Sequence, residues 1–175
     1  MLAVGAAVTV HVVRTEPSWL ARFRYPFHYQ TIVRTHARNY DLDTALLAAV
    51  IYQESKFRAD ARSSSGAIGL MQLLPATAQG IALRTGGTTF RTEDLLDPDI
   101  NVRYGCWYLR HLLEKYGDER TALAAYNAGQ DNVDRWREEG KGIAFGETRH
   151  YVKRVEQLKT LYRRGYGKEL GPASQ

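Results

Sequence analysis

The chain has 175 residues, with 24 Lys and Arg against 19 Asp and Glu. The net charge of +5 suits an acidic polymer such as nucleic acid, anionic lipid or the bacterial wall, without choosing among them. There is no zinc-finger spacing and no basic helix with regular aromatic interleaving, which speaks against nucleic acid. The length fits one domain with a substantial core. The single cysteine, Cys106, excludes an internal disulfide and reads as a small core residue.

Met1–Val13 is apolar except for Thr9 and His11. It is too short to span a bilayer alone, which takes ~20 residues, and no basic leader precedes it. With Arg14, Arg22 and Arg24 behind it, the run is expected to be a membrane anchor or export signal shortened at its front. The alternative is a buried N-terminal strand or helix. Glu16 to Pro26 reads as linker, punctuated by Pro17 and Pro26, so residues 1–24 are set apart from the domain. Tyr29–Asn39 fits a helix with Ile32, Val33 and Ala37 inward. His28 and His36 are expected to be solvent-exposed or packed on the linker, because no other ligand falls at metal spacing.

Leu42–Lys56 is the next helix, with Asp41 or Asp43 as its N-cap. Leu47, Val50, Ile51 and Glu54 recur at i, i+3, i+4 and i+7, which is one helix face. Glu54 therefore rises from an apolar surface near the C-terminal end. Burial and the negative end of the helix dipole both disfavour its carboxylate. Its titration is expected above the ~4.3 of a free Glu. A carboxyl still protonated near neutral pH is what a general acid must be. The ordinary alternative is a helix-end Glu paired with Lys56 or Arg58.

Ser63-Ser64-Ser65-Gly66-Ala67-Ile68-Gly69 is a small, glycine-rich loop that lets backbone come close to something. Pro75 opens a short helix to Leu83, and Thr85–Thr89 is a flexible loop. Asp97-Pro98 starts a helix over Ile100–Tyr116, with Val102, Cys106, Leu109 and Leu113 at helical spacing and Gly117 as its stop. Arg120–Asn127 is helical, Val133–Arg137 adds one turn, and Glu138–Phe145 is a loop. Glu147–Arg164 closes the domain with Val152, Val155, Leu158 and Leu161 inward. The tail Gly165–Gln175 reads as disordered. No internal repeat and no convincing strand alternation occurs, so the chain is mainly α.

Three motifs stand in order along this frame: Glu54-Ser55 with Gly69-Leu70-Met71-Gln72, then Ala124-Ala125-Tyr126-Asn127-Ala128-Gly129, then Glu147-Thr148-Arg149-His150-Tyr151-Val152. Together they resemble the SLT-type (family 1) lytic transglycosylases of bacteria, over roughly residues 25–162. The resemblance implies a goose-lysozyme-like helical fold with a deep groove, a catalytic domain at 25–164, and no metal or organic cofactor. It implies peptidoglycan glycan strands as partner, a place in the cell envelope, and membrane contact through the N-terminal segment; oligomeric state stays open.

Most glycosidases need two carboxylates, and no second acid of obvious standing lies near Glu54. Lytic transglycosylases resolve that shortage: one Glu protonates the oxygen between N-acetylmuramic acid and N-acetylglucosamine, then takes the proton of the muramoyl 6-hydroxyl as a 1,6-anhydro ring closes. By the same resemblance Glu54 is the acid and then the base. Ser63 lies near the substrate acetamido group, with Ser64 and Ser65 close enough to blur the choice. Gln72 lines the cleft. Tyr126 hydrogen-bonds near the acid, Asn127 fixes the loop or the sugar, and Glu147 and Tyr151 shape the far side of the groove. Leu74 departs from relatives that carry a second methionine there, a swap of similar volume. A hydrolysing muramidase would need a carboxylate or held water opposite Glu54. A non-catalytic wall-binding module would have no use for Glu54, Gln72 and Tyr126 together.

Overall fold

The computed structural model describes residues 18–171. The order of elements is α1 (Ser18–Arg24), α2 (Gln30–Asn39), α3 (Thr44–Ser55), α4 (Pro75–Thr85), a 3₁₀ turn (Thr92–Leu96), α5 (Pro98–Tyr116), α6 (Glu119–Ala128), α7 (Gln130–Glu138) and α8 (Gly146–Tyr166). Among the described residues the only β pairings are the isolated bridges of Arg62 with Ile68 and of Ile68 with Leu73. The chain is mainly α, as its periodicity predicts. The run Met1–Val13 lies outside the described residues, and no helix among those described is long and apolar enough to cross a membrane.

α3 is the hub. Every residue from Ala45 to Ile51 is buried, so this helix is surrounded by protein and does not simply lay one face on a core. Of the two N-cap candidates, Asp41 and Asp43, it is Asp43 that caps α3, accepting from the amides of Ala45 (2.9 Å) and Leu46 (3.4 Å). α8 runs along α3 and contributes Tyr151, Val152, Val155, Leu158 and Tyr162 to the same core. α5 is capped by Asp97, with Pro98 in its first turn and Gly117 at φ 75° ending it. A smaller cluster of Ile68, Leu73, Ala78, Ile81, Ala82, Leu95 and Tyr104 sits apart from the main core.

Four features differ from their sequence expectation. The proposed linker contains α1, which docks on α8: Ala21 is buried, Arg22 donates to the Gly165 carbonyl at 2.6 Å and pairs with Glu169 at 2.6 Å. The proposed tail is built in as far as Gly171. α8 continues through Tyr166, Leu170 is buried, and Arg34 donates to the Glu169 carbonyl at 2.9 Å. His36 is buried, with Nε2 2.9 Å from Asp99 Oδ1, while His28 stays exposed. The turn expected at Val133–Arg137 is the nine-residue α7.

Candidate active site

Glu54 stands on the last turn of α3, where the chain bends sharply. Lys56 (φ 52°) and Phe57 (φ 62°) both adopt left-handed backbone, an uncommon pair for non-glycine residues. Buried Ser55 pins this bend with its one hydroxyl proton, given to the Leu70 carbonyl at 2.8 Å and shared with the Ile51 carbonyl at 3.2 Å. The Gly69–Gln72 turn is thereby held against the end of α3.

The other anchor of that turn is Asn101, fully buried in α5. Its Nδ2 donates to the carbonyls of Ile68 (2.9 Å) and Leu95 (2.8 Å), and its Oδ1 accepts from the Met71 amide (2.8 Å). Both its N–H protons and its oxygen are engaged by backbone, which suits a buried amide. Gly69, at φ 81°, passes so close to Asn101 and Leu95 that no side chain fits. Gly105 in α5 is bare for the same reason: a Cβ there would overlap Met71. Met71 is therefore core.

Glu54 faces a cleft of about 410 Å³ between the two clusters. Ser63, Ser65, Gln72, Tyr126, Asn127 and Glu147 line it, joined by Leu74, Thr77 and Tyr108. Tyr151 stands behind the acid and donates to Glu54 Oε1 at 2.6 Å. The ordinary pairing with Lys56 or Arg58 is absent. Burial pushes the Glu54 carboxyl up from 4.5 to about 7, and the Tyr151 hydrogen bond partly offsets this by favouring the carboxylate. With Oε1 held by Tyr151, Oε2 is the oxygen left for a proton. Burial beside Glu54 also keeps the phenols of Tyr126 and Tyr151 well above their usual range, so both are neutral donors.

The remaining residues divide by what they already hold. Tyr126 donates to the Met71 carbonyl at 2.8 Å and packs its ring on Tyr108 at 5.5 Å. Gln72 sits at φ 48° and spends its Nε2 on the carbonyls of Ala61 (3.1 Å) and Gly69 (2.9 Å), leaving its oxygen available. Ser63 Oγ accepts from the Ala67 amide at 3.0 Å and shares a 2.8 Å hydrogen bond with Ser65, while Ser64 does not line the cleft. Asn127 Oδ1 accepts from Thr148 Oγ1 at 2.9 Å, which ties α6 to the first turn of α8. Glu147 is exposed on that turn. No sequence motif marks Tyr108, which lines the cleft, or Asn101, which holds its wall. Among the described residues no group of three or more His, Cys, Asp or Glu is placed to hold a metal ion.

The family model of the Transglycosylase SLT domain matches residues 31–146, which span both the Glu54 helix and the Tyr126 turn. The chain belongs to the transglycosylase SLT family. Soluble lytic murein transglycosylase of Salmonella typhimurium is 32% identical over 158 residues, covering 83% of this chain and 24% of that protein. Membrane-bound lytic murein transglycosylase F of Yersinia pestis is 40% identical over 112 residues, covering 60% of this chain and 21% of that protein. The structure of an inactive glutamate-to-glutamine mutant of the Pseudomonas aeruginosa lytic transglycosylase Slt superposes with a TM-score of 0.74 at 34% identity. It covers 82% of this chain and 25% of that one. This SLT chain thus spans about a quarter of the length of these relatives and shares their helical, lysozyme-like fold.

Proposed function

We propose that this SLT chain is a peptidoglycan lytic transglycosylase. It cleaves the β-1,4 bond between N-acetylmuramic acid and N-acetylglucosamine and leaves 1,6-anhydromuramic acid ends. The observation that carries the reading is Glu54: a carboxyl with a pKa of about 7, oriented by Tyr151 and facing a cleft. Protonated Oε2 gives its proton to the leaving glycosidic oxygen. The resulting carboxylate, steadied by the Tyr151 hydroxyl, takes the proton of the muramoyl 6-hydroxyl as that oxygen closes on the anomeric carbon. The cycle returns Glu54 to its starting state, so one residue serves as acid and base. Ser63 with Ser65, the Gln72 oxygen, and the Asn127 amide are the polar groups offered to the sugars, and Tyr126 holds the Gln72 turn in place. The inactivity of the Pseudomonas Glu-to-Gln mutant supports a glutamate-dependent reaction. Peptidoglycan as substrate places the chain's work in the cell envelope.

Glu147 in the same cleft gives the hydrolysing reading its one foothold. Digestion of purified peptidoglycan followed by mass spectrometry separates the two. Muropeptides ending in 1,6-anhydromuramic acid are one water lighter than hydrolysed ones and resist borohydride reduction, and these are the expected products. Reducing ends alone would shift the reaction to hydrolysis, with Glu147 as the first residue to vary.

The pH dependence follows from the protonated form being active. kcat/KM is expected to fall as pH rises through about 7, the Glu54 value. In Tyr151→Phe the carboxylate loses a charge-assisted hydrogen bond worth roughly 1.5–3 kcal/mol, so the limb moves to higher pH and the plateau drops about tenfold or more. A limb that stays in place would remove Tyr151 from the site.

A further inference from the structure

A second concavity of about 450 Å³ lies on the back of α3, lined by Arg24, Tyr25, Tyr52, Gln53, Lys56 and Arg154. At 3.6 residues per turn, Tyr52 stands about 160° round the helix from Glu54, so this pocket opens away from the cleft. Three of its six lining residues are cations and none is acidic. Arg154 holds a guanidinium over the Tyr25 ring at 5.5 Å and reaches the Tyr25 hydroxyl at 3.3 Å, which leaves that hydroxyl's own proton to donate. Lys56 is exposed on its left-handed bend, and Gln53 adds an amide. A planar guanidinium fork, an ammonium and a phenol around one hollow match a phosphodiester.

What stands beside the hollow indicates where that phosphate comes from. Phe23, next to Arg24 on α1, is 83% exposed, the largest exposure of any large apolar side chain described. Seventeen residues precede α1 in the sequence, and Met1–Val13 among them is apolar but for Thr9 and His11. Apolar residues flanked by cations are what an anionic bilayer surface takes up, each nearby Lys or Arg adding to the attraction. We propose that this pocket is a headgroup site for anionic phospholipid. With Phe23 at the acyl boundary it docks the back of the molecule on the membrane and turns the Glu54 cleft towards the wall. The site goes beyond the proposed reaction and does not depend on it.

The test uses the full chain. Dihexanoyl phosphatidylglycerol, held below its micelle concentration, is titrated by calorimetry. Vesicles of phosphatidylcholine with and without phosphatidylglycerol are then compared by sedimentation. Saturable binding of the soluble lipid is expected, weakened about tenfold in Lys56→Gln, whose exposed side chain makes it the variant safe for folding, and lost in Lys56→Gln/Arg154→Gln. Sedimentation is expected to favour the anionic vesicles, to fall with salt as surface attraction is screened, and to fall in Phe23→Ser, with glycan cleavage in solution unchanged. Equal binding to both vesicle types, insensitive to the charge variants, overturns the site. So does an activity loss in the double variant on stem-bearing muropeptides but not on glycan stripped of its peptides, which would assign the pocket to stem carboxylates.

Discussion

Glu54→Gln is expected to abolish release of anhydromuropeptides while making the protein more stable above neutral pH. Both effects come from one carboxyl. Each proton transfer in the cycle runs through it, and loss of a single general acid or base typically costs 10²–10⁴-fold; here the same group does both, so a loss of about 10³-fold or more is expected. Native Glu54 keeps its proton up to about pH 7, whereas the unfolded chain releases it near 4.5. Between those values the native state binds more protons, so stability falls as pH rises. The contribution is whole below about pH 4.5 and lost above about 7. The buried carboxylate then costs the wild type about 2–3 kcal/mol, discounted for its contact with the open cleft. Glutamine carries no such charge and still offers an oxygen to Tyr151. Thermal melts of the two proteins should therefore coincide near pH 4 and separate by about 5 °C or more at pH 8, with the variant higher. Parallel melting curves across that range would mean that Glu54 is solvated, and the acid role would lose its physical basis.

Much of this arrangement is legible along the chain, and the parts that are not share a cause. Asp43, Pro75, Asp97 and Gly117 announce helix ends through local chemistry, and the structure uses each as such. The apolar rows of α5 and α8 likewise read correctly from their period. α1 was hidden by Pro17 and Pro26, whose punctuation suggested a linker; its stability comes from docking on α8, nearly 150 residues away, and no local pattern reports that. His36 is an intermediate case. It follows Val33 at helical spacing, so its burial was readable, but its partner Asp99 on another helix was not. At the site, Glu54 stands out as an acid ending an apolar run. Tyr151 read only as a groove wall, because its pairing with Glu54 exists only once α3 and α8 lie side by side. Nothing along the chain marks Asn101, although its buried amide holds the Gly69–Gln72 turn. Contacts made within one turn of helix leave a sequence signature, and contacts between distant helices leave almost none.

Gly69→Ala is the second large effect expected, and it tests that turn directly. Gly69 lies at φ 81°, where an L side chain is strained by about 1–2 kcal/mol. Its added methyl would also overlap the Asn101 amide and the Leu95 carbonyl. Neither neighbour can step aside cheaply: Leu95 O is backbone, and Asn101 Nδ2 is committed to Ile68 and Leu95. Relief must come from displacing the turn, which breaks buried hydrogen bonds at roughly 1–3 kcal/mol each. The sum is a loss of about 3–5 kcal/mol, in the range reserved for a named structural fault. Because Gln72 and the Met71 carbonyl that receives Tyr126 ride on the same turn, the folded fraction should also cleave glycan more slowly. Gly66 supplies the control. It has a φ of 84° but nothing within 4 Å of where its Cβ would stand, so Gly66→Ala bears the backbone strain alone. Chemical denaturation of the two variants side by side reads the difference. A drop for Gly69→Ala that exceeds Gly66→Ala by about 2 kcal/mol or more assigns the excess to the packing against Asn101 and Leu95. Equal losses would show that the turn relaxes freely, and that Asn101 is not what holds the cleft wall against Glu54.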